Sequence, residues 1–216
     1  MPPINLGGNA CAPFALAGDD EGTDRALVAS DRIIRPRLVS SPTSRVDQIF
    51  TAALVACVRG DAALAREITA PIVRGEVEVE QPHFTPACRV MYGWGDVLTG
   101  GPSASLDLAA DAIAEIERTP IDVALSMFRS LHAHALLHAG RAEDAAAILR
   151  DVAERCEHAG DRWWLPETLR LLALAGDAVG DDPNESHRVL VRARSLADEQ
   201  GERRLVDRID ATLAGR

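Results

Sequence analysis

The chain contains 216 residues, of which 47% are hydrophobic and 4% aromatic, and it carries a formal net charge of −10. This apolar content is sufficient for a buried core, and its dominance by alanine and leucine predicts an all-α fold. The negative charge argues against direct binding to nucleic acid or to anionic membranes. All 23 basic residues are arginine. That excludes phosphate-loop, Schiff-base and Ser-x-x-Lys chemistry, since each of these needs a lysine.

The first 43 residues differ in pattern from the rest of the chain. Residues 25–34 have a helical pattern that matches half of the repeat described below, and Pro36 and Pro42 flank serines as in a linker. We therefore predict that residues 1–43 form a partly disordered N-terminal segment with a possible half-repeat helix. An unpaired half-repeat exposes an apolar strip, here Leu27, Ile33 and Ile34. Such a strip is typical of an interface, so this segment could dock on a neighbouring unit, form a homodimer or stay a loose tail, and we expect it to be the main source of any self-association.

Glycines recur at 40-residue intervals in the predicted repeat domain, residues 44–216: Gly60, Gly100, Gly140 and Gly180. Each ends an apolar helical run and precedes a second amphipathic run. Glycine suits a helix C-terminus because it readily adopts a left-handed conformation. The period accommodates two helices and two turns, which predicts about four helix-turn-helix repeats. Apolar residues one turn apart near the C-terminus predict a capping helix: Leu205, Ile209 and Leu213.

Two stretches of the later units carry a family resemblance. The sequence GRAEDA from Gly140, followed by Leu149 and Val152, resembles the turn and second helix of a tetratricopeptide repeat, although the period here is longer. The sequence GDRWW at residues 160–164 is similar to the C-terminal repeats of large bacterial LuxR-type and ATPase-type transcriptional regulators. The resemblance implies a right-handed α-solenoid that forms the sensor or scaffold part of a regulator. We expect this chain to correspond to that part alone, without the family's nucleotide-binding and helix-turn-helix domains.

The first helices of stacked repeats line the concave face of a solenoid. A period of 40 makes three sets of positions on that face equivalent. They are Val90, Ser130 and Arg170; Trp94 and His134; and Leu98 and His138. We predict that these side chains form the binding groove of a non-enzymatic module. Its expected ligand is a protein or peptide partner, or a small regulatory effector. No catalytic constellation, metal-ligand set or cofactor motif is evident in the sequence, and none is predicted.

Three features leave alternatives open. His134 and His138 lie one turn apart and could hold a metal, line the groove or belong to an ordinary helix surface; no third ligand is evident, and groove lining is preferred. Of Trp163 and Trp164, one is expected to wedge between repeats, and the alternative is an exposed anchor for a partner. Three arginines near the C-terminus are interpreted as a solvated, salt-bridged face rather than a nucleic-acid patch: Arg203, Arg204 and Arg208.

The alternative function is a stand-alone transcriptional regulator of the LuxR type. It would have to read DNA with residues 202–216, because this is the only basic helical candidate in the sequence. No segment approaches the ~20 apolar residues of a membrane span. The four cysteines show no Cys-x-x-Cys spacing. We therefore expect a soluble, cytoplasmic protein with reduced thiols.

Overall fold

A computed structural model of the chain describes residues 6–28, 43–77, 84–119 and 124–216. These residues form helices and the turns between them, with no β-strand among them, which confirms the predicted all-α class. The described helices are α1 (Leu6–Leu16), α2 (20–28), α3 (Thr43–Arg59), α4 (Ala62–Val73), α5 (Phe84–Leu98), α6 (Ala104–Glu117), α7 (Leu125–His138), α8 (Ala142–Ala159), α9 (Leu165–Val179), α10 (Pro183–Glu199) and α11 (Arg203–Ala214). None of them is both long and apolar enough to cross a membrane.

The glycines spaced by 40 residues end helices as the sequence predicts. Gly180 follows α9 with φ 84°, and its N–H bonds to the carbonyl of Asp177. This left-handed conformation strains any residue with a Cβ atom, so glycine is strongly preferred there. The other members of the series have φ between 76° and 87°: Gly60, Gly100 and Gly140.

The odd-numbered helices form a closed series. Each of α1, α3, α5, α7 and α9 packs against the next odd-numbered helix, and the last member, α11, contacts α1. The helices α4, α6, α8 and α10 each pack between two consecutive members of this series rather than on one another. They therefore lie outside a ring whose inner helices are the odd-numbered ones.

Hydrogen bonds between neighbouring inner helices reproduce the 40-residue spacing. Trp94 bonds to His134, 40 residues later, and Glu167 to Arg208, 41 residues later. Asp177 and Arg216, 39 residues apart, form an ion pair. Positions one period apart are therefore neighbours on adjacent inner helices, as expected for consecutive helix pairs that pack alike.

Two glycines within α5 bring the outer helices close. A Cβ atom on Gly93 would lie 2.6 Å from the backbone oxygen of Ser105 in α6. One on Gly95 would overlap the backbone of α4, lying 3.0 Å from the nitrogen of Arg66. Trp94, between them in sequence, packs instead toward α7. The small residues thus fix the α5 orientation that places the Trp94 indole inside the ring.

The N-terminal residues pack against both ends of the domain. In α1 the side chains of Cys11, Ala15 and Leu16 are buried, and the helix contacts α3 and α11. Within the segment predicted to be partly disordered, residues 6–16 and 20–28 are thus helical, and α1 belongs to the ring. In the predicted apolar strip Leu27 is half-buried, whereas Ile33 and Ile34 lie outside the described residues.

Candidate functional site on the inner helices

All seven predicted groove residues lie on three consecutive inner helices, α5, α7 and α9. They do not form an open face. Leu98 and His134 are half-buried and His138 is exposed. The other four are buried: Val90, Trp94, Ser130 and Arg170.

Trp94 and His134 join α5 to α7. The indole Nε1 donates to the Nδ1 atom of His134 at 3.2 Å. The pKa of His134 is lowered to about 4, mainly by burial; Glu167 opposes this shift, and the charges of Arg170 and Arg208 add to it. The imidazole is therefore neutral at physiological pH, with Nδ1 as the acceptor and the proton on Nε2.

Glu167 is the charged residue at the centre of the site. Its side chain is 4% exposed and accepts hydrogen bonds from Arg170 Nε at 2.9 Å and Nη2 at 2.8 Å. Arg208 Nη1 donates a third bond at 3.0 Å. Burial alone would raise the pKa of Glu167, but the two guanidinium groups outweigh it and hold the pKa at about 2.

Two arginines of α11 bond to the first helices of the chain. Arg208 Nη2 donates to the carbonyl oxygen of Val58 at 2.8 Å, in the last turn of α3. Arg204 Nε donates to the carbonyl of Ala15 at 2.9 Å, in the last turn of α1, and its Nη2 pairs with Asp20 at 2.6 Å. Carbonyls in a last turn lack intrahelical partners and carry partial negative charge, so arginine is favoured there. We call Ala15, Asp20, Val58 and Glu167 the arginine-acceptor surface.

The interpretation of the C-terminal arginines as a solvated face was wrong for two of them. Arg203 is exposed. The side chains of Arg204 and Arg208 are only 23% and 22% exposed, and both are bonded to the arginine-acceptor surface. The physical reason is the contact between the two ends of the chain, which the charge pattern of a single helix does not reveal.

An inner polar cluster results: Trp94, His134, Glu167, Arg170 and Arg208. Its ionisable groups are poorly suited to proton transfer near neutral pH. The pKa of Glu167, about 2, and that of His134, about 4, make both weak bases. Its carboxylate, guanidinium and imidazole groups are instead placed to hold complementary charges and hydrogen-bonding groups.

A separate cavity of about 560 Å³ opens between α7 and the C-terminal half of α8. Arg129 Nη1 and Asp151 Oδ2, 2.6 Å apart, form an ion pair on its wall. Ser126 donates to Asp161 at 3.0 Å nearby. Because these groups are already paired with one another, a ligand here would have to compete with internal bonds.

The two neighbouring tryptophans differ in burial. The side chain of Trp164 is 1% exposed and belongs to the core, whereas Trp163 is half-buried. Their ring centroids are 5.3 Å apart. A wedge of one tryptophan between repeats stays a prediction, as does an exposed anchor for a partner.

Sequence reasoning missed Glu167 and Arg208 as members of the site. Charged residues are usually exposed, so residue type alone places both on the surface. The repeat period could have revealed them, because Glu167 and Arg208 are about one period apart and positions at that spacing are neighbours. In the described part of the chain, no group of three or more histidine, cysteine or acidic side chains could hold a metal ion.

Comparison with known proteins adds no relationship to this description: no protein-family model matches the chain, and no curated protein or solved structure matches it.

Proposed function

We propose that the chain is a non-enzymatic binding module made of tetratricopeptide-like repeats, which acts as the sensor or scaffold part of a regulator. In this proposal the helix pairs form a right-handed α-solenoid curved enough to close, and the inner helices recognise a protein or peptide partner. A single observation carries it. Three of the inner helices, α1, α3 and α9, already hold an amphipathic helix, α11, through arginine–carboxylate and arginine–carbonyl bonds. Laying an amphipathic helix into a groove is a common mode of peptide recognition.

The titration behaviour of the inner groups favours recognition over catalysis. Glu167 and His134 are held in single protonation states across the neutral range. Groups held in this way provide fixed charge and fixed hydrogen-bonding direction. A small regulatory effector is the second kind of ligand we consider, and the cavity beside Arg129 is the observation that favours it.

The alternative of a LuxR-type regulator that reads DNA by itself has less support. Its only candidate reading helix is α11. Arg204 and Arg208 of that helix are bonded to α1, α3 and α9, which leaves Arg203 as the exposed arginine of its first turn. A helix whose cations point into its own protein is a poor match for the phosphate backbone.

Site-specific crosslinking tests the proposal. A photo-crosslinking amino acid is placed at position 98 or 138, at the accessible ends of α5 and α7, and as a matched control at position 191 on the outer helix α10. Val191 is 49% exposed, so the control position is also accessible to solvent. After irradiation in an extract of the native host, mass spectrometry identifies the adducts.

We expect positions 98 and 138 to capture the same protein, or to gain the same small-molecule mass, and position 191 to capture neither. Equal capture at all three positions, or capture only at 191, would contradict binding at the inner helices.

A further inference from the structure

We propose that α11 is a built-in competitor for the inner groove, defined as the arginine-acceptor surface together with Arg170, and that the partner is an amphipathic helix with two arginines one turn apart, each followed by an aliphatic residue. This inference rests on the proposed function and specifies the partner and its regulation. The pattern is that of α11 itself, with Arg204-Leu205 and Arg208-Ile209.

The polar side of α11 meets a matched surface. Arg204, Arg208 and Thr212 follow one another at four-residue spacing and therefore share one side of the helix. The first two bond to the arginine-acceptor surface. Thr212 Oγ1 accepts a bond from Arg170 Nη1 at 3.4 Å. The inner groove thus forms hydrogen bonds with three successive turns of α11 along one side of the helix.

The apolar side of α11 contributes few buried residues. Leu205 and Ile209 are its two fully buried residues, whereas ten residues are buried in α9. Apolar burial is the main contribution to helix docking, so α11 depends on its ionic and carbonyl bonds more than its neighbours do. It is joined to α10 by the short turn at Gly201. It is therefore the inner helix that opens at least cost.

The empty groove defines the chemistry of its occupant. Opening of α11 takes Arg208 away from Glu167 and from the carbonyl of Val58, and takes Arg204 away from the carbonyl of Ala15. Glu167 keeps its two bonds from Arg170, and the Ala15 carbonyl keeps the N–H of Gly18. The three arginine bonds are nevertheless lost, and charge-assisted bonds to partly buried acceptors are costly to lose. A competing helix restores them only if it supplies arginines at the same spacing, and an aliphatic helix without arginines restores none.

The test uses the full-length protein and a fluorescent peptide with the sequence of residues 199–216. Binding is measured by anisotropy for the wild type, for R204A/R208A and for the control R203A, whose side chain is exposed. We expect the peptide to bind R204A/R208A about tenfold more tightly than it binds the wild type or R203A. A peptide with both equivalent arginines replaced by alanine should not bind.

Several results would overturn the inference. Equal affinity for wild type and R204A/R208A would show that α11 does not compete. Equal binding of the arginine-free peptide would show that the arginines are not the recognised feature. A doubled mass of R204A/R208A in light scattering would identify a second copy, exchanging α11, as the occupant. If position 98 or 138 still captures a partner in any of these cases, the proposed function stands and only this inference fails.

Hydrogen exchange on the wild type keeps the test independent of whether the variant folds. We expect the amides of α11 to exchange about tenfold faster than those of α10, and faster still in about 0.5 M NaCl, because salt weakens partly exposed ion pairs. Equal exchange rates in α10 and α11, or rates unaffected by salt, would overturn the inference.

Discussion

Replacement of Glu167 by glutamine is the most direct probe of the inner polar cluster. The change keeps the shape of the side chain and removes its charge. Two guanidinium groups, of Arg170 and Arg208, then face a neutral amide in a site where the side chain at 167 is 4% exposed. Removal of one partner from a buried ion pair is strongly destabilising because the remaining charge is left uncompensated.

The size of the effect follows from the pKa of Glu167. The folded-state pKa of about 2 lies below the ordinary value of 4.5. That difference corresponds to about 3 kcal/mol of stability at neutral pH. For a chain of this length the melting temperature of E167Q should fall by about 10 °C.

The pH dependence has a definite sign. Because the folded-state pKa is depressed, the stabilisation is complete above pH 4.5 and is lost as the pH falls toward 2. About half of it should be gone at pH 3. The difference in unfolding free energy between wild type and E167Q should therefore shrink on acidification.

Urea unfolding followed by circular dichroism at pH 7, 4 and 3 measures these differences. The matched control is E199Q, which removes a carboxylate from an exposed pair with Arg162 at 2.9 Å. Exposed pairs contribute less than about 1 kcal/mol. The reasoning is refuted if E167Q and E199Q lose equal stability, or if the loss in E167Q is the same at pH 3 as at pH 7.

Three further predictions concern other parts of the ring. Glu202 is buried, with a pKa raised to about 7 by desolvation, so the wild type should lose stability as the pH rises from 4.5 through 7. E202Q should therefore gain about 1–2 kcal/mol over the wild type at pH 8 and little at pH 5 in the same urea assay; an equal gain at both pH values would contradict this. G95A should lower the free energy of unfolding by about 2–3 kcal/mol because its Cβ atom would overlap the α4 backbone. The control G215A, whose Cβ atom would make ordinary contacts, should change it by less than about 0.5 kcal/mol. A double-mutant cycle of W94F and H134F should give a coupling of about 1 kcal/mol from their hydrogen bond, and strict additivity would count against that bond.

The sequence was sufficient to predict an all-α chain, whereas a binding groove on the first helix of each pair stays a prediction. The glycine period fixed the phase of the repeat, and all seven predicted groove residues lie on α5, α7 and α9. The ends of the helices could also be predicted from the sequence, because glycine is the residue expected where the backbone becomes left-handed.

The closure of the ring could not be predicted from the sequence. A periodic pattern shows which positions are equivalent, but curvature depends on the angle between successive helix pairs. In this chain that angle depends on close backbone approaches such as those at Gly93 and Gly95. The two ends then meet through bonds that join residues 189 and 150 positions apart, Arg204 to Ala15 and Arg208 to Val58. No local pattern encodes such contacts.

Ring closure also links the stability of the chain to its affinity for a partner. If α11 must leave before a partner helix enters, the apparent affinity is reduced by the fraction of molecules in which α11 is open. An open fraction of about one in a hundred weakens the apparent Kd about a hundredfold. Weakening the bonds of Arg208 to Glu167 and Val58 should therefore lower the free energy of unfolding and raise the affinity for the peptide of residues 199–216 at the same time. A variant that loses stability through a damaged groove loses affinity as well. Opposite signs in the two measurements therefore distinguish competition by α11 from damage to the site it covers.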